Sequence, residues 1–253
     1  MAIAFDAASA DFTTGAGQSW SHTCTGADLV LLVGVNTFTA GLDDDVTGVT
    51  YDGDAMTLIV NQEGPVVPPR QYSSLWYLIN PSTGANTVAV TKTSSDAMRS
   101  IACSYTGCDQ SAQPDAFTSK KQNVQNIMLA VTSTVDNCWA VTFAMNDASQ
   151  LSAGANTTAR DTSLTFVGFG DSNGVISPAG EIELNWTKGG AANNWTMLDA
   201  TIQPPQAAAG TNAQINIGDA WKLIAGMQIN IGDTWKTVEG MQINIGDAWK
   251  EIF

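Results

Sequence analysis

The chain has 253 residues, of which 44% are hydrophobic and only 13% charged, and it suits one large β domain or two smaller units. Its formal net charge is −14, with 10 Lys and Arg against 24 Asp and Glu and a pI near 4.1. That balance excludes the basic footprint needed to neutralise phosphates, so no nucleic-acid partner is expected.

Few charges mean that the polar surface is built from Ser, Thr, Asn, Gln and Gly. A single histidine, His22, argues against a catalytic triad or a His-built metal site, and no cofactor or metal is expected. No stretch approaches the roughly 18 apolar residues that span a bilayer, so membrane insertion is not expected. No basic segment precedes an apolar one near the start. The expectation is a protein made in a cytoplasm and released without a secretory signal.

Short apolar or alternating runs follow one another from the start. They comprise residues 28–35, 56–60, 74–79, 87–92, 127–131, 139–145, 163–169, 181–186 and 195–202. Most are rich in Val, Ile, Leu, Thr, Trp or Tyr, and Gly, Pro, Asn and Ser turns separate them. No amphipathic helix of ten or more residues is found. The spacing predicts an all-β fold: a jelly-roll-like antiparallel sandwich over residues 1–203. Residues 74–79 are too continuously apolar for a one-faced strand and read as central. Residues 87–91 alternate, with Val88 and Val90 on the core side. Trp20, Trp76, Trp139, Trp186 and Trp195 fit core anchors better than exposed platforms.

Candidate chemical sites are few. Cys24, Cys103, Cys108 and Cys138 lack zinc or redox spacing and read as buried thiols, although Cys103 and Cys108 could close a small disulfide loop. His22 and Cys24 share a strand face, where a hydrogen-bonded structural histidine is favoured over a two-ligand metal site. Asp43, Asp44 and Asp45 read as a solvated loop rather than a cation site. Asp52-Gly53 reads as a hairpin turn. Asp171-Ser172-Asn173-Gly174 resembles the start of a calcium loop, but Ile182 stands where the bidentate Glu belongs, so a turn is favoured. Asp161, Glu181 and Glu183 are the carboxylates a glycosidase could use, yet nothing marks them, and no enzyme activity is expected. Tyr72, Asn194 and Trp195, in loops also holding Pro68, Pro69 and Asn193, have the composition of a glycan contact.

Residues 204–213 form a Pro/Ala-rich linker, and residues 214–253 a tandem repeat: QINIGDAWKLIAGM, QINIGDTWKTVEGM, QINIGDAWKEIF. Each unit offers two short β runs joined at Gly-Asp, a hairpin signal. Alternation puts Ile215 and Ile217, Ile229 and Ile231, and Ile243 and Ile245 on one face of their strands, and Trp221, Trp235 and Trp249 recur at fixed spacing. So short a unit is marginal alone. The expectation is that these nine residues pack against other copies of the chain, most simply as a trimer, or against a partner's surface. The tail carries a net charge of −2 and the preceding part −12.

The INIGDAWK repeats look like the short tandem tails of proteins from tailed bacteriophages and prophages. The segments AIAFDAASA, SHTCTGADLVLLVGV, VTGVTYDGDAMTLI, LWYLINPSTGANTVAV, CSYTGCDQSAQPDA, DNCWAVTFAMN and FGDSNGVISPAG resemble a phage-associated β domain. The resemblance implies a virion structural protein: a tail or head fibre component, or a decoration protein, with other virion proteins as partners. Assembly in the host cytoplasm would agree with the missing signal. A host-glycan-binding adhesin is the alternative. No site residue is carried over from the resemblance.

If the tryptophan row is an interface, Trp235→Ala weakens self-association in equilibrium sedimentation more than Lys236→Ala does, because an indole buries far more apolar area. Equal effects would place that row in solvent.

Overall fold

The computed structural model describes residues 2–39, 45–65 and 70–206, and beyond them six short strands between residues 214 and 251. The described residues are all-β, with antiparallel pairing and no helix. The chain divides into two compact units, Met1–Pro205 and Gln206–Phe253.

The first unit opens with nine strands: β1 (Ala4–Thr14), β2 (Gly17–Cys24), β3 (Val30–Thr39), β4 (Val46–Tyr51), β5 (Asp54–Ala55), β6 (Thr57–Glu63), β7 (Arg70–Ile79), β8 (Gly84–Lys92) and β9 (Ala97–Thr106). They form two sheets, ordered β1-β9-β3-β7-β6 and β2-β8-β4-β5. This is jelly-roll connectivity. Its fifth strand is split, so that β5 pairs with β4 in one sheet and β6 pairs with β7 in the other. Asp52 and Gly53, both at positive φ (51° and 88°), form the two-residue turn between β4 and β5.

Eight further strands follow: β10 (Ala116–Val124), β11 (Ile127–Thr132), β12 (Trp139–Asn146), β13 (Ser152–Ala153), β14 (Thr158–Asp161), β15 (Val167–Asp171), β16 (Glu181–Thr187) and β17 (Asn193–Ile202). Their sheets run β10-β17-β12-β15-β14 and β11-β16-β13. The five-stranded order repeats that of the first roll place for place, and β11-β16-β13 matches β2-β8-β4, with no counterpart of β5. Residues 1–203 therefore form the all-β, jelly-roll-like unit that the sequence predicts, with the jelly-roll arrangement present twice within it rather than once.

The repeat extends to register. Leu32 opposes Cys103 as Val141 opposes Ala200; Ala7 opposes Ser104 as Ala116 opposes Thr201; Trp20 opposes Val88 as Leu129 opposes Leu184. The same polar clasp recurs in each roll. Asp6 accepts bonds from the Thr25 amide, the Thr25 hydroxyl and Ser104. Asp115 accepts the matching bonds from the Thr134 amide and hydroxyl and from Thr201. The Asp–Thr separation is 19 residues in both. Asp28 and Asn137, at φ 53° and 65°, make the same left-handed turn before β3 and β12; Asp and Asn tolerate it better than most residues.

The rolls stack into four layers with three cores. One core lies within the first roll, with Leu31, Val33, Val49, Tyr51, Val88 and Val90. Another lies within the second, with Ile127, Leu129, Leu184, Trp186, Trp195 and Met197. The third joins the two five-stranded sheets, with Leu32, Leu75, Ile101, Tyr105, Val141, Phe143, Phe169 and Leu198. The central strands β9, β12, β15 and β17 of the inner sheets are buried on both faces over most of their length, and all eight residues of β12 are buried. The outer strands β2, β8, β11 and β16 alternate between buried and more exposed positions. Residues 163–166 are a turn; the strand there starts at Val167. Trp139, Trp186 and Trp195 are buried, and Trp20 and Trp76 half-buried, against the cores.

Each hairpin of the second unit pairs within itself: β18 (Gln214–Asn216) with β19 (Trp221–Leu223), β20 (Gln228–Ile231) with β21 (Thr234–Thr237), and β22 (Gln242–Ile245) with β23 (Ala248–Glu251). In every repeat the central Asn of Ile-Asn-Ile opposes the Trp: Asn216 with Trp221, Asn230 with Trp235, Asn244 with Trp249.

The inner sheets meet about a pseudo-two-fold axis. β1 lies against β14 as β10 lies against β6, and β9 against β15 as β17 against β7. Gly34 and Phe143 hold equivalent places in β3 and β12, and they touch each other: a Cβ on Gly34 would come under 3.0 Å from three atoms of the Phe143 ring. Gly34→Ala is therefore expected to cost about 1–3 kcal/mol by overpacking, read as a lower urea midpoint. An unchanged midpoint would show that the two rolls adjust freely against each other.

Candidate functional site

The titratable groups singled out from the sequence are held in structural networks. His22 is buried between Ser9 and Ser104, with Nδ1 2.8 Å from the Ser9 hydroxyl and Nε2 3.1 Å from that of Ser104. Ser104 gives its one hydroxyl proton to Asp6 at 2.6 Å, so His22 Nε2–H donates to Ser104 and Nδ1 accepts from Ser9. Ser9 in turn accepts from Trp20 Nε1. Burial, partly offset by the Asp6 charge, lowers the His22 pKa to about 4. A base that weak is poorly matched to activating Ser9 near neutrality.

All four cysteines are free and buried, so Cys103 and Cys108 form no disulfide. Burial raises each thiol pKa, which keeps them protonated and unreactive. No group of metal-binding side chains occurs among the described residues.

The carboxylates are similarly committed. Asp45 is buried rather than solvated; it lies 3.8 Å from Lys92 and accepts a bond from Ser94. Asp43 and Asp44 lie outside the described residues. Asp171 is fully buried at the junction of the rolls, gripped by Arg160 at 2.6 and 2.8 Å and by the Tyr105 hydroxyl at 2.9 Å. The Arg160 guanidinium also lies 4.4 Å from the centre of the Phe5 ring. Asp161 accepts from the Ser163 amide and hydroxyl. Glu181 and Glu183 sit on the exposed side of β16. Asp199 is fully buried in the second roll, where burial pushes its pKa well up and a hydrogen bond with Thr142 offsets only part.

The expected glycan contacts do not assemble. Trp195 is 0% exposed, and its Nε1 donates to the Val124 carbonyl. Tyr72 is also buried. Neither ring can stack on a sugar, because β17 and β7 are inner strands that turn both faces into cores. Asn194 is tied to Asp147 and Asn123. Pro68 and Pro69 lie outside the described residues. In the tail, Ile215, Trp221, Ile229, Ile231, Trp235, Ile243, Ile245 and Trp249 fall on hairpin strands, while Ile217 lies outside the described residues.

One arrangement went unnoticed in the sequence. The Arg99 guanidinium sits 4.8 Å from the ring centres of Phe12 and Phe166 and 5.2 Å from that of Phe38. It borders an open cleft of about 390 Å³ lined by Phe12, Arg99, Ser163, Leu164, Thr165 and Phe166. Its Nη1 has no hydrogen-bond partner, and burial lowers its pKa. Phe166 has φ 83°, a strained value for a bulky residue. The available signal was an arginine, one of three in the chain, inside the mainly apolar run of β9.

Comparison with family models, with curated proteins and with solved structures gives no match.

His22 supplies a pH test. Its folded pKa of about 4 lies below the ordinary 6.5, so between those values the unfolded chain binds more protons and stability falls as the pH is lowered. The full loss is on the order of 3 kcal/mol. Urea midpoints at pH 7 and pH 4.5 should differ less in His22→Gln than in the parent chain; equal differences would refute the assignment.

Proposed function

We propose that the chain is a non-enzymatic structural component of a tailed-bacteriophage particle, a fibre or decoration protein that assembles through its C-terminal repeats. The observation that carries this reading is the tail: three near-identical hairpins in tandem, each paired only within itself among the described strands. An isolated two-stranded hairpin is marginal in water and needs further packing. Three identical units on one chain multiply any contact that one unit makes. The resemblance of the repeats to phage tails supplies the setting, and host-cell assembly is part of the same reading.

The division of charge suits this arrangement. A body of net charge −12 keeps neighbouring copies apart, whereas a nearly neutral tail permits close packing. The committed carboxylates and protonated thiols favour a contact role over catalysis.

Sedimentation velocity separates the outcomes. The full chain is expected to run as a trimer and a chain ending at Gln206 as a monomer. Two monomers would overturn assembly through the repeats. The second reading, an adhesin for host surface glycans, is favoured by a different feature, the Arg99 cleft.

A further inference from the structure

The pseudo-two-fold axis provides an internal control for Arg99. Its equivalent in the second roll is Thr196: Arg99 lies between Phe12 and Asn36 in its sheet, as Thr196 lies between Lys121 and Met145. Thr196 is fully buried, and its hydroxyl is 2.6 Å from that of Ser73. On that side the junction of the rolls is closed by two hydroxyls that satisfy each other. The fold therefore has a simple way to seal this position without a charge.

On the Arg99 side the junction stays open. No described carboxylate comes within ion-pair distance of the guanidinium, although the first unit is strongly acidic. The chain's other arginine described with its side chain, Arg160, has its carboxylate in Asp171. Arg99 Nη1 is shielded from solvent and has no partner within the fold, so a ligand in the cleft is met by the part of the side chain that lines it. The rings of Phe12, Phe38 and Phe166 hold the planar group in place, which lessens the entropy lost when a ligand binds. Phe12 is 47% exposed, an apolar platform at the mouth of the cleft. Thr165 adds a hydroxyl to the lining.

We propose that this cleft binds an acidic sugar residue of a polysaccharide, its carboxylate on Arg99 and its C–H face on Phe12. A guanidinium matches a carboxylate through paired N–H donors, which a neutral sugar cannot exploit. The apolar platform adds a contact that a bare carboxylate cannot use. The cleft volume falls within the usual range of small-ligand sites, about 300–1,000 Å³. The inference supports the adhesin reading and is independent of tail assembly, since the cleft lies wholly within the first unit.

The test is a titration of the full chain with D-glucuronate, D-glucose and acetate, followed through the Arg99 Nε–H signal in ¹H–¹⁵N spectra. Loss of that signal in Arg99→Lys assigns it. Glucuronate is expected to shift it saturably, glucose to leave it unmoved, and acetate to bind about tenfold more weakly or less. Arg99→Lys keeps the charge but loses the paired geometry, and should weaken glucuronate binding by about tenfold or more. An unmoved Arg99 signal overturns the site. Equal binding of acetate and glucuronate overturns the sugar assignment, as does equal binding of glucose. These three arms use the parent chain, where correlation of the Nε–H signal with the backbone of residue 99 also assigns it, so they decide the matter even if the variant folds poorly.

Discussion

The Phe143 ring occupies the space that a side chain on residue 34 would otherwise fill, and the four-layer body is organised around that contact. Gly34 and Phe143 are equivalent residues of two equivalent strands, yet one is the smallest residue and the other among the largest. On a two-fold axis, identical residues meet each other. Two phenylalanines here would collide, and two glycines would leave a void. The duplicated chain can place a knob on one side and a hole on the other, which brings the inner sheets into close packing. The core between the rolls then extends outward from Phe143 through Leu32, Leu75, Val141, Phe169 and Leu198.

Duplication also explains where the polar groups lie. Each roll keeps its own clasp, Asp6 with Thr25 and Ser104, and Asp115 with Thr134 and Thr201, because each must tie its first strand to its neighbours. At the junction the two halves differ. One side holds Asp171 between Arg160 and Tyr105, a buried charge whose partners offset its desolvation. Another position holds the Ser73–Thr196 pair, and its symmetry mate holds Arg99 among three phenylalanines. Only the last is left with an unpaired donor beside an open cleft.

Much of the fold was legible in the residues. Strand identity followed from β-branched and aromatic runs, and the Asp52-Gly53 turn from its dipeptide. Two kinds of strand were also visible: the alternation at residues 87–91 and the unbroken apolar run at 74–79. Their layer assignment was less legible. An unbroken run means burial on both faces, which a two-layer sandwich does not provide, and several such runs implied extra layers. The duplication escaped notice because the halves share few identities: Asp6 and Asp115, Ala7 and Ala116, Thr25 and Thr134 stand out only once the strands are paired. Turn composition suggested Asn194 and Trp195 as surface contacts, but composition does not report on which side a neighbouring sheet will lie.

The sequence by itself determined the all-β class, the acidic body, the three tandem hairpins, and the core placement of Trp139 and Trp186. These depend on local propensity, period-two patterning and turn chemistry, each complete within about ten residues. Tertiary structure alone decided that there are two jelly rolls, chose the core reading of Trp195 over the glycan-contact one, set Asn opposite Trp in each hairpin, and left Phe12 facing solvent. It alone left Arg99 without the partner that Arg160 has. The reason is that a side chain's surroundings are set by strands distant along the chain: Phe12, Phe38 and Phe166 reach one guanidinium only when β1, β3 and the turn before β15 converge on β9.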